Sequence, residues 1–174
     1  MKRFTKTTFL FLTVSIFLIL FSPLYSQKTL DPDFEKFIDK KIKHTVDEIS
    51  VTELKKDTST YVLIDVREKE EFDVSHIKSA KNYPASKFKI SQLSTIAKDK
   101  KIIIYCSAGI RSEKIANKLK KEGYTNCYNL YGGIFEWINR GYAVYDANGK
   151  KTDKIHAYSF SWGIWLNKGV KVFG

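Results

Sequence analysis

Three short apolar runs recur along the chain, at residues 61–66, 101–106 and 126–130. Polar or turn-forming residues bound each run, and polar positions do not alternate within the first two. Continuous apolar runs of this length are typical of strands that are buried on both faces. The pattern therefore predicts parallel strands inside a layered structure.

Between and around these runs, apolar residues recur at the spacing of a helix. Residues 110–122 place Ile115, Ala116 and Leu119 on one face and end at Gly123, which predicts a helix with a glycine stop. A second helix is predicted from Gly132-Gly133. Its inward positions would be Ile134, Trp137 and Ile138.

A further helix is predicted near the start of the chain. Asp31-Pro32 is a favourable opening, and apolar residues follow at spacings of three and four: Phe34, Phe37, Ile38 and Ile42. We expect residues 27–44 to form an amphipathic helix that covers the core of a domain over residues 45–142. Strands that alternate with helices indicate an α/β fold with an open parallel sheet.

The first 26 residues have the pattern of a secretory signal. Three basic residues precede an apolar stretch at residues 9–21, and a polar shift follows Ser26. Thirteen helical residues would span about 20 Å, less than the roughly 30 Å of a membrane core. We predict cleavage after Ser26 and an exported protein, periplasmic or secreted; the alternative is an uncleaved signal anchor.

Charge and cysteine content exclude several classes of protein. The net charge of +11 arises from 30 basic and 19 acidic residues, and loss of the signal would leave +8. No nucleic-acid motif accompanies that charge, so we expect no nucleic-acid partner and membrane contact only through the signal segment. Two cysteines, Cys106 and Cys127, are too few for a disulfide-stapled fold or a cysteine-based structural zinc site.

Candidate chemistry lies where the second predicted strand meets the next helix, at Cys106-Ser-Ala-Gly-Ile-Arg111. Ligands of open α/β sheets bind beyond the carboxyl ends of the strands, where helix N-termini present free amides. A thiol at that position loses its proton more easily than a free cysteine. Arg111 adds a planar fork that suits an anion.

The ordered motifs resemble the rhodanese family over residues 49–142. They are LIDVR at 63–67, EF at 71–72, HI at 76–77, NYP at 82–84, CSAGIR at 106–111 and NLYGG at 129–133, followed by Trp137. The resemblance implies a five-stranded parallel sheet with helices on both faces. It also implies that Cys106 takes a sulfane sulfur from a small anionic donor such as thiosulfate.

The same resemblance assigns roles to the loop. The donor and the persulfide would be held by Ser107, Ala108, Gly109, Ile110 and Arg111. Cyanide or a thiol, including a thiol protein, would accept the sulfur in a covalent two-step reaction without a cofactor. The alternatives are a cysteine-dependent phosphatase or arsenate reductase, which resemble this architecture but have a loop one residue longer, and a non-catalytic rhodanese-like binding module.

Other polar residues are given structural roles. Asp65 and Arg67 end the first predicted strand, where we expect an ion pair or turn that at most supports the loop. His76 is predicted to lie in a turn or the core. The three histidines are scattered, so no metal site is expected. Cys127 lies near the start of its strand and Cys106 at the end of its own, which separates them too widely for a disulfide. We expect Cys127 to be a small buried apolar residue; the alternative is a resolving cysteine.

Residues 143–174 extend beyond the motifs. A turn is predicted at residues 146–149, and His156, Tyr158, Phe160 and Trp162 then alternate as in a strand. We expect an aromatic extension packed on the domain surface. The alternative is a wall beside the mouth of the site that selects the acceptor.

Overall fold

The computed structural model describes residues 28–174. The predicted secretory signal therefore lies outside the described residues. At the centre is a five-stranded parallel sheet in the order β1-β5-β4-β2-β3. Its strands are β1 (Asp47–Ile49), β2 (Val62–Asp65), β3 (Lys81–Asn82), β4 (Ile102–Tyr105) and β5 (Cys127–Leu130). The predicted α/β fold is confirmed.

Within residues 28–174, six helices accompany the sheet: α1 (Pro32–Asp39), α2 (Val51–Lys56), α3 (Lys69–Val74), α4 (Ile110–Lys121), α5 (Gly133–Asn139) and α6 (Phe160–Gly163). Single 3₁₀ turns occupy Thr58–Thr60 and Ile90–Leu93. Each predicted helix and strand up to residue 139 is present, but the N-terminal helix expected over residues 27–44 spans only Pro32–Asp39. The chain leaves the helix at Lys40, and the N–H groups of Lys43 and Thr45 donate to the Glu113 carboxylate instead of continuing the helix. The other ends lie within a residue of the expected positions. Among residues 28–174, no helix combines the length and the apolar character needed to cross a membrane.

The central strand β4 explains why the sheet needs helices on both faces. Ile103 and Tyr105 point into a cluster that also contains core residues of α1, α2 and α5. Ile102 and Ile104 point the other way, into a cluster with the inner stripe of α4. All four side chains are fully buried, and burial of each isoleucine is worth roughly 1.5–3 kcal/mol.

Two small sheets follow the last helix of the central layer. β6 (Val144–Tyr145) and β7 (Lys151–Thr152) form an antiparallel pair around the predicted turn at residues 146–149. β8 (Lys154–His156) pairs in parallel with β9 (Val170–Val172). The end of the chain thus adds its own strands, separate from the central sheet.

The strand expected across residues 156–162 is wrong beyond His156. Tyr158 adopts a left-handed backbone with φ of 65°, which turns the chain out of the extended conformation, and helix α6 follows. Within β8 and just after it, Ile155 and Ala157 are buried, whereas His156 between them is partly exposed and Tyr158 after them is exposed.

The aromatic extension packs on the N-terminal helix α1. Trp165 stacks with Phe34 at 5.4 Å between ring centroids, and Trp162 meets Phe37 edge-on at 5.4 Å. Phe34 is completely buried by these contacts and by the core beneath it. Helix α1 is therefore covered by the extension on one side and by the sheet layer on the other.

Candidate active site

The candidate nucleophile lies at the carboxyl edge of the sheet. β4 ends at Tyr105, Cys106 follows with 2% of its surface exposed, and α4 begins four residues later. The loop closes this short distance because Gly109 adopts a left-handed conformation with φ of 105°, which side chains other than glycine rarely tolerate. The first turn of a twelve-residue helix consequently faces the sulfur.

Hydrogen-bond donors surround the Cys106 sulfur. The Gly109 N–H donates to Sγ at 3.2 Å, and the Ser112 hydroxyl lies at 3.5 Å from Sγ. Burial opposes ionisation of the thiol, but the charge of Arg111, the Ser112 hydroxyl and the backbone amides of Ser112 and Ala108 outweigh it and lower the Cys106 pKa. The site therefore favours the thiolate.

The Ser112 hydroxyl has two possible acceptors for one proton. It lies at 2.7 Å from Oδ1 of Asn129, whose Nδ2 donates to the Gly109 carbonyl at 3.0 Å. Asn129 thus ties β5 to both the loop and the helix. Neither Ser112 nor Asn129, which appears in the sequence only as part of a motif, could be given this role beforehand, because their contact joins residues 17 positions apart.

Arg111 is held by a carboxylate that sequence analysis quoted without a role. Its Nη1 and Nη2 donate to the two oxygens of Glu71 at 2.7 and 2.8 Å, and Nη2 also lies 3.1 Å from the Ser107 hydroxyl. Burial acts to raise the Glu71 pKa, but Arg111 and Arg67 lower it overall. Besides its place in the EF motif at 71–72, Glu71 has one local signal in the sequence: it lies three residues after Glu68 and accepts the Glu68 backbone N–H in a capping box.

Helix α5 supports the loop from behind. The N–H groups of Ile134 and Phe135 donate to the carbonyls of Cys106 and Ser107, each at 3.0 Å. This approach requires glycine before them, because a Cβ on Gly133 would lie 2.3 Å from the Cys106 carbonyl oxygen. The Gly-Gly pair predicted as a helix start is therefore also a contact with the active loop.

A pocket of about 120 Å³ opens above the sulfur. The predicted loop residues supply most of its lining, and two aromatic residues of the C-terminal extension complete it: Cys106, Ser107, Ala108, Ile110, Arg111, Tyr158 and Trp162. Gly109 does not line the pocket and instead lies next to the Asn129 side chain. The structure thus brings together the loop and the aromatic extension.

Asp65 and Arg67 form a fully buried ion pair, with Nη2 of Arg67 at 2.6 Å from Oδ2 of Asp65. Arg67 also donates to the Ser75 carbonyl at 2.6 Å. In the described part of the chain, neither side chain hydrogen-bonds to residues 106–111, and Glu71 makes those contacts instead. His76 stacks on Phe72 at 3.9 Å in the predicted structural position.

Both cysteines are free thiols. Ile102 of β4 is the partner of Cys127 in the parallel register, so Cys106 lies four residues further along the sheet, about 13 Å away at 3.3 Å per residue. A disulfide needs Cα atoms within about 7 Å. Within residues 28–174, the histidine, cysteine and carboxylate side chains form no cluster of three that could hold a metal ion.

These surroundings predict a difference in reactivity between the two thiols. The thiolate is the nucleophile, so the alkylation rate of Cys106 should rise with pH to a plateau whose midpoint lies below the ordinary value of about 8.5. Burial raises the pKa of Cys127 to about 11, so this thiol should react only after unfolding. Iodoacetamide labelling at graded pH, read by peptide mass spectrometry, measures both.

The Ser112→Ala variant should move the Cys106 midpoint upward, because it removes a donor to the thiolate. Ser94→Ala, at an exposed position, is the matched control and should leave the midpoint in place. A midpoint at or above 8.5 in the unmodified protein would contradict the assigned electrostatics.

Comparison with known proteins places this geometry in a family. The model of the rhodanese-like domain matches residues 50–140. Among solved structures, a rhodanese-related protein from Thermoplasma volcanium is 30% identical with a TM-score of 0.53, over 57% of this chain and 97% of that chain. The BH2092 protein from Bacillus halodurans, at 24% identity and a TM-score of 0.55 over 68% and 89% of the two chains, shares the fold.

Curated relatives match over the same segment. The uncharacterized protein YqhL of Bacillus subtilis is 44% identical over 75 residues, which cover 43% of this chain and 59% of the relative. A tRNA uridine(34) hydroxylase from Onion yellows phytoplasma is 37% identical over 81 residues, covering 44% of this chain and 26% of that protein. The chain thus spans only part of the length of these relatives. With more than half of its residues matched by the family model and the expected sheet around Cys106, the chain belongs to the rhodanese-like domain family.

Proposed function

We propose that this protein is a sulfurtransferase of the thiosulfate sulfurtransferase type. It would move a sulfane sulfur from an anionic donor such as thiosulfate, through a persulfide on Cys106, to cyanide or a thiol. The observation that supports this most directly is a thiol with a lowered pKa, held at a helix N-terminus by amide and hydroxyl donors and opening onto a small pocket.

The reaction has two balanced steps. In the first, the Cys106 thiolate attacks the outer sulfur of thiosulfate; a new S–S bond forms, the donor S–S bond breaks, and sulfite leaves with the electron pair. In the second, cyanide or an acceptor thiolate attacks the outer sulfur of the persulfide. Thiocyanate or a new persulfide is released, and the Cys106 thiolate is regenerated.

The positive charge around the pocket is suited to the persulfide intermediate. A persulfide anion extends the negative charge one sulfur further into the pocket, towards the residues that line it. The positive end of α4 and the Arg111 guanidinium stabilise negative charge there in both states. Because Glu71 fixes the guanidinium with two hydrogen bonds, Arg111 contributes as a positioned charge on the pocket wall.

Loop length argues against the rival chemistry. Six residues run from Cys106 to Arg111, whereas the phosphatases and arsenate reductases of similar architecture have one more, which makes room for a tetrahedral oxyanion. The retained cysteine argues against a purely binding role, because non-catalytic rhodanese-like modules typically lose it. Sulfur transfer is therefore the function that the site supports best.

The proposal includes the setting of the reaction. Export through the signal pattern at residues 1–26 would place the enzyme in the periplasm or outside the cell, where its acceptor would be a small thiol, cyanide or an exported thiol protein. The positive charge of the mature chain mildly favours encounter with anionic donors. No nucleic acid, metal or cofactor takes part.

Mass spectrometry after exposure to thiosulfate tests the proposal. Incubation should add one sulfur, about 32 Da, to the peptide containing Cys106, and cyanide should remove it with release of thiocyanate. Cys127→Ala is the matched control and should load to the same extent. An unchanged mass, or sulfur found on Cys127 alone, would overturn the proposed function; phosphatase turnover would favour the rival.

A further inference from the structure

The outer wall of the sulfur pocket comes from outside the rhodanese-like domain. The family model ends at residue 140, yet Tyr158 and Trp162 line the pocket together with the active loop. These two rings form the aromatic wall of the site. Its residues belong to the C-terminal extension, so the wall is a property of this chain's own added segment.

The aromatic wall is held in place by several contacts. Its two rings meet edge-on at 5.8 Å between centroids, and Trp162 in turn contacts Phe37 of α1. Tyr158 keeps its left-handed backbone with its N–H donating to Nδ1 of His156 at 3.1 Å. Half of the Tyr158 surface remains exposed, so the wall presents ring faces and edges to an incoming molecule.

The charge available in the pocket is limited. Arg111 is the one basic residue among the lining residues that the structure describes, and Glu71 already engages both of its terminal nitrogens. The Tyr158 ring covers the guanidinium at 5.1 Å. A donor with a second negative charge would therefore meet no unpaired cation on the wall, whereas a carbon group would meet aromatic surface.

From this arrangement we infer that the aromatic wall selects organic sulfur donors, in which one anionic sulfur group is attached to a flat apolar group, over inorganic thiosulfate. This inference rests on the proposed function, since it names the substrate class of the same site. The apolar group would lie against Tyr158 and Trp162 while the outer sulfur faces Cys106. Aryl thiosulfonates have this chemistry.

The pocket size agrees with one small ring. An enclosed cavity of roughly 150 Å³ accepts benzene, and this pocket of about 120 Å³ is open on one side. With benzenethiosulfonate the chemistry balances as before: the thiolate takes the outer sulfur, the donor S–S bond breaks, and benzenesulfinate leaves with the electron pair. Aromatic contact then aids binding of the aryl donor.

The test compares kcat/KM for benzenethiosulfonate, methanethiosulfonate and thiosulfate, with cyanide as acceptor. The unmodified protein should prefer the aryl donor to thiosulfate. Trp162→Ala should reduce that preference about tenfold, the scale of one aromatic contact of 1–1.5 kcal/mol. Trp162→Phe should restore most of it, because a flat ring remains. Phe160→Ala, which removes an exposed ring of the same short helix outside the pocket, should leave it unchanged.

A second variant guards against loss of folding at Trp162. Tyr158→Asn removes the other ring while keeping a residue that tolerates the left-handed backbone, and it should also lower the aryl preference. If thiosulfate loads Cys106 but the ratio between donors is equal in the unmodified protein and both wall variants, the inference is wrong and the proposed function stands. If neither donor loads Cys106, both fail.

Discussion

Replacing Cys106 with serine is expected to abolish cyanide-dependent thiocyanate formation. A serine hydroxyl is far less acidic than the thiol, and a persulfide cannot form on oxygen. The loss of rate should be at least about 10⁴-fold, the scale on which other covalent enzymes lose activity with their nucleophile. The measurement is steady-state thiocyanate release with thiosulfate as donor.

The comparison needs a protein that is folded and otherwise intact. Serine is similar in size to cysteine and leaves every carbon atom of the surrounding core cluster in place, so the melting temperature should change by only a few degrees. Cys127→Ala again serves as the control and should retain turnover. Thiocyanate release by the Cys106→Ser protein at the original rate would refute covalent transfer through this residue.

Substitution of Gly133 by alanine should strongly lower the free energy of unfolding. The new Cβ would approach the carbonyl oxygens of Cys106 and Ser107 to 2.3 and 2.6 Å, and φ of 54° is already unfavourable for alanine. The left-handed conformation costs about 1–2 kcal/mol and overlap of this kind about 1–3, so we expect a loss of roughly 3 kcal/mol. Activity should fall as well, because the displaced atoms belong to the active loop.

The Gly149→Ala variant separates the cost of the left-handed backbone from the cost of steric overlap. Gly149 has a similar φ of 73°, but a Cβ there would meet nothing within 4 Å. Its cost should be only the conformational part, about 1–2 kcal/mol, with unchanged sulfur transfer. Thermal melts should place the Gly133→Ala protein roughly 6–12 °C below the unmodified protein, at 2–4 °C per kcal/mol. Equal melting temperatures for the two variants would show that close contact with the active loop does not require glycine at position 133.

The central sheet could be predicted because its inner strands are buried on both faces and so read as continuous apolar runs. The edge strands β1 and β3 could not be located this way. They have three and two residues with mixed exposure, and their pairing with β5 and β2 depends on the finished sheet. Short edge strands carry little sequence signal of their own.

Within the site, the loop from Cys106 to Arg111 was predictable because its chemistry is local in sequence. The residues that orient it were not. Glu71 reaches Arg111 across 40 positions, and Asn129 reaches Ser112 across 17. Spacing rules along one strand or helix do not report such contacts. Loop support from Asp65 and Arg67 stays a prediction: within the described residues neither side chain bonds to residues 106–111, but Arg67 helps to lower the pKa of Glu71.

The extension illustrates a different limit. Alternation of aromatic residues predicted a strand, but a single left-handed residue, Tyr158, redirects the chain and sets its ring over Arg111. Both expectations for the segment have a counterpart in the fold: it packs on α1, and two of its rings border the pocket. Selection of substrate by those rings is the part that stays a prediction.

The stacking of Trp165 on Phe34 joins two segments that both lie outside the family match. A fragment trimmed to residues 50–140 would lose both rings at once, together with Ile38 and Leu166 of the same apolar cluster. The apolar face of the sheet that these residues cover would then be exposed to solvent. The described segments on either side of the family match therefore pack together over the same face of the sheet, and a fragment cut at residues 50 and 140 would lose part of its hydrophobic core.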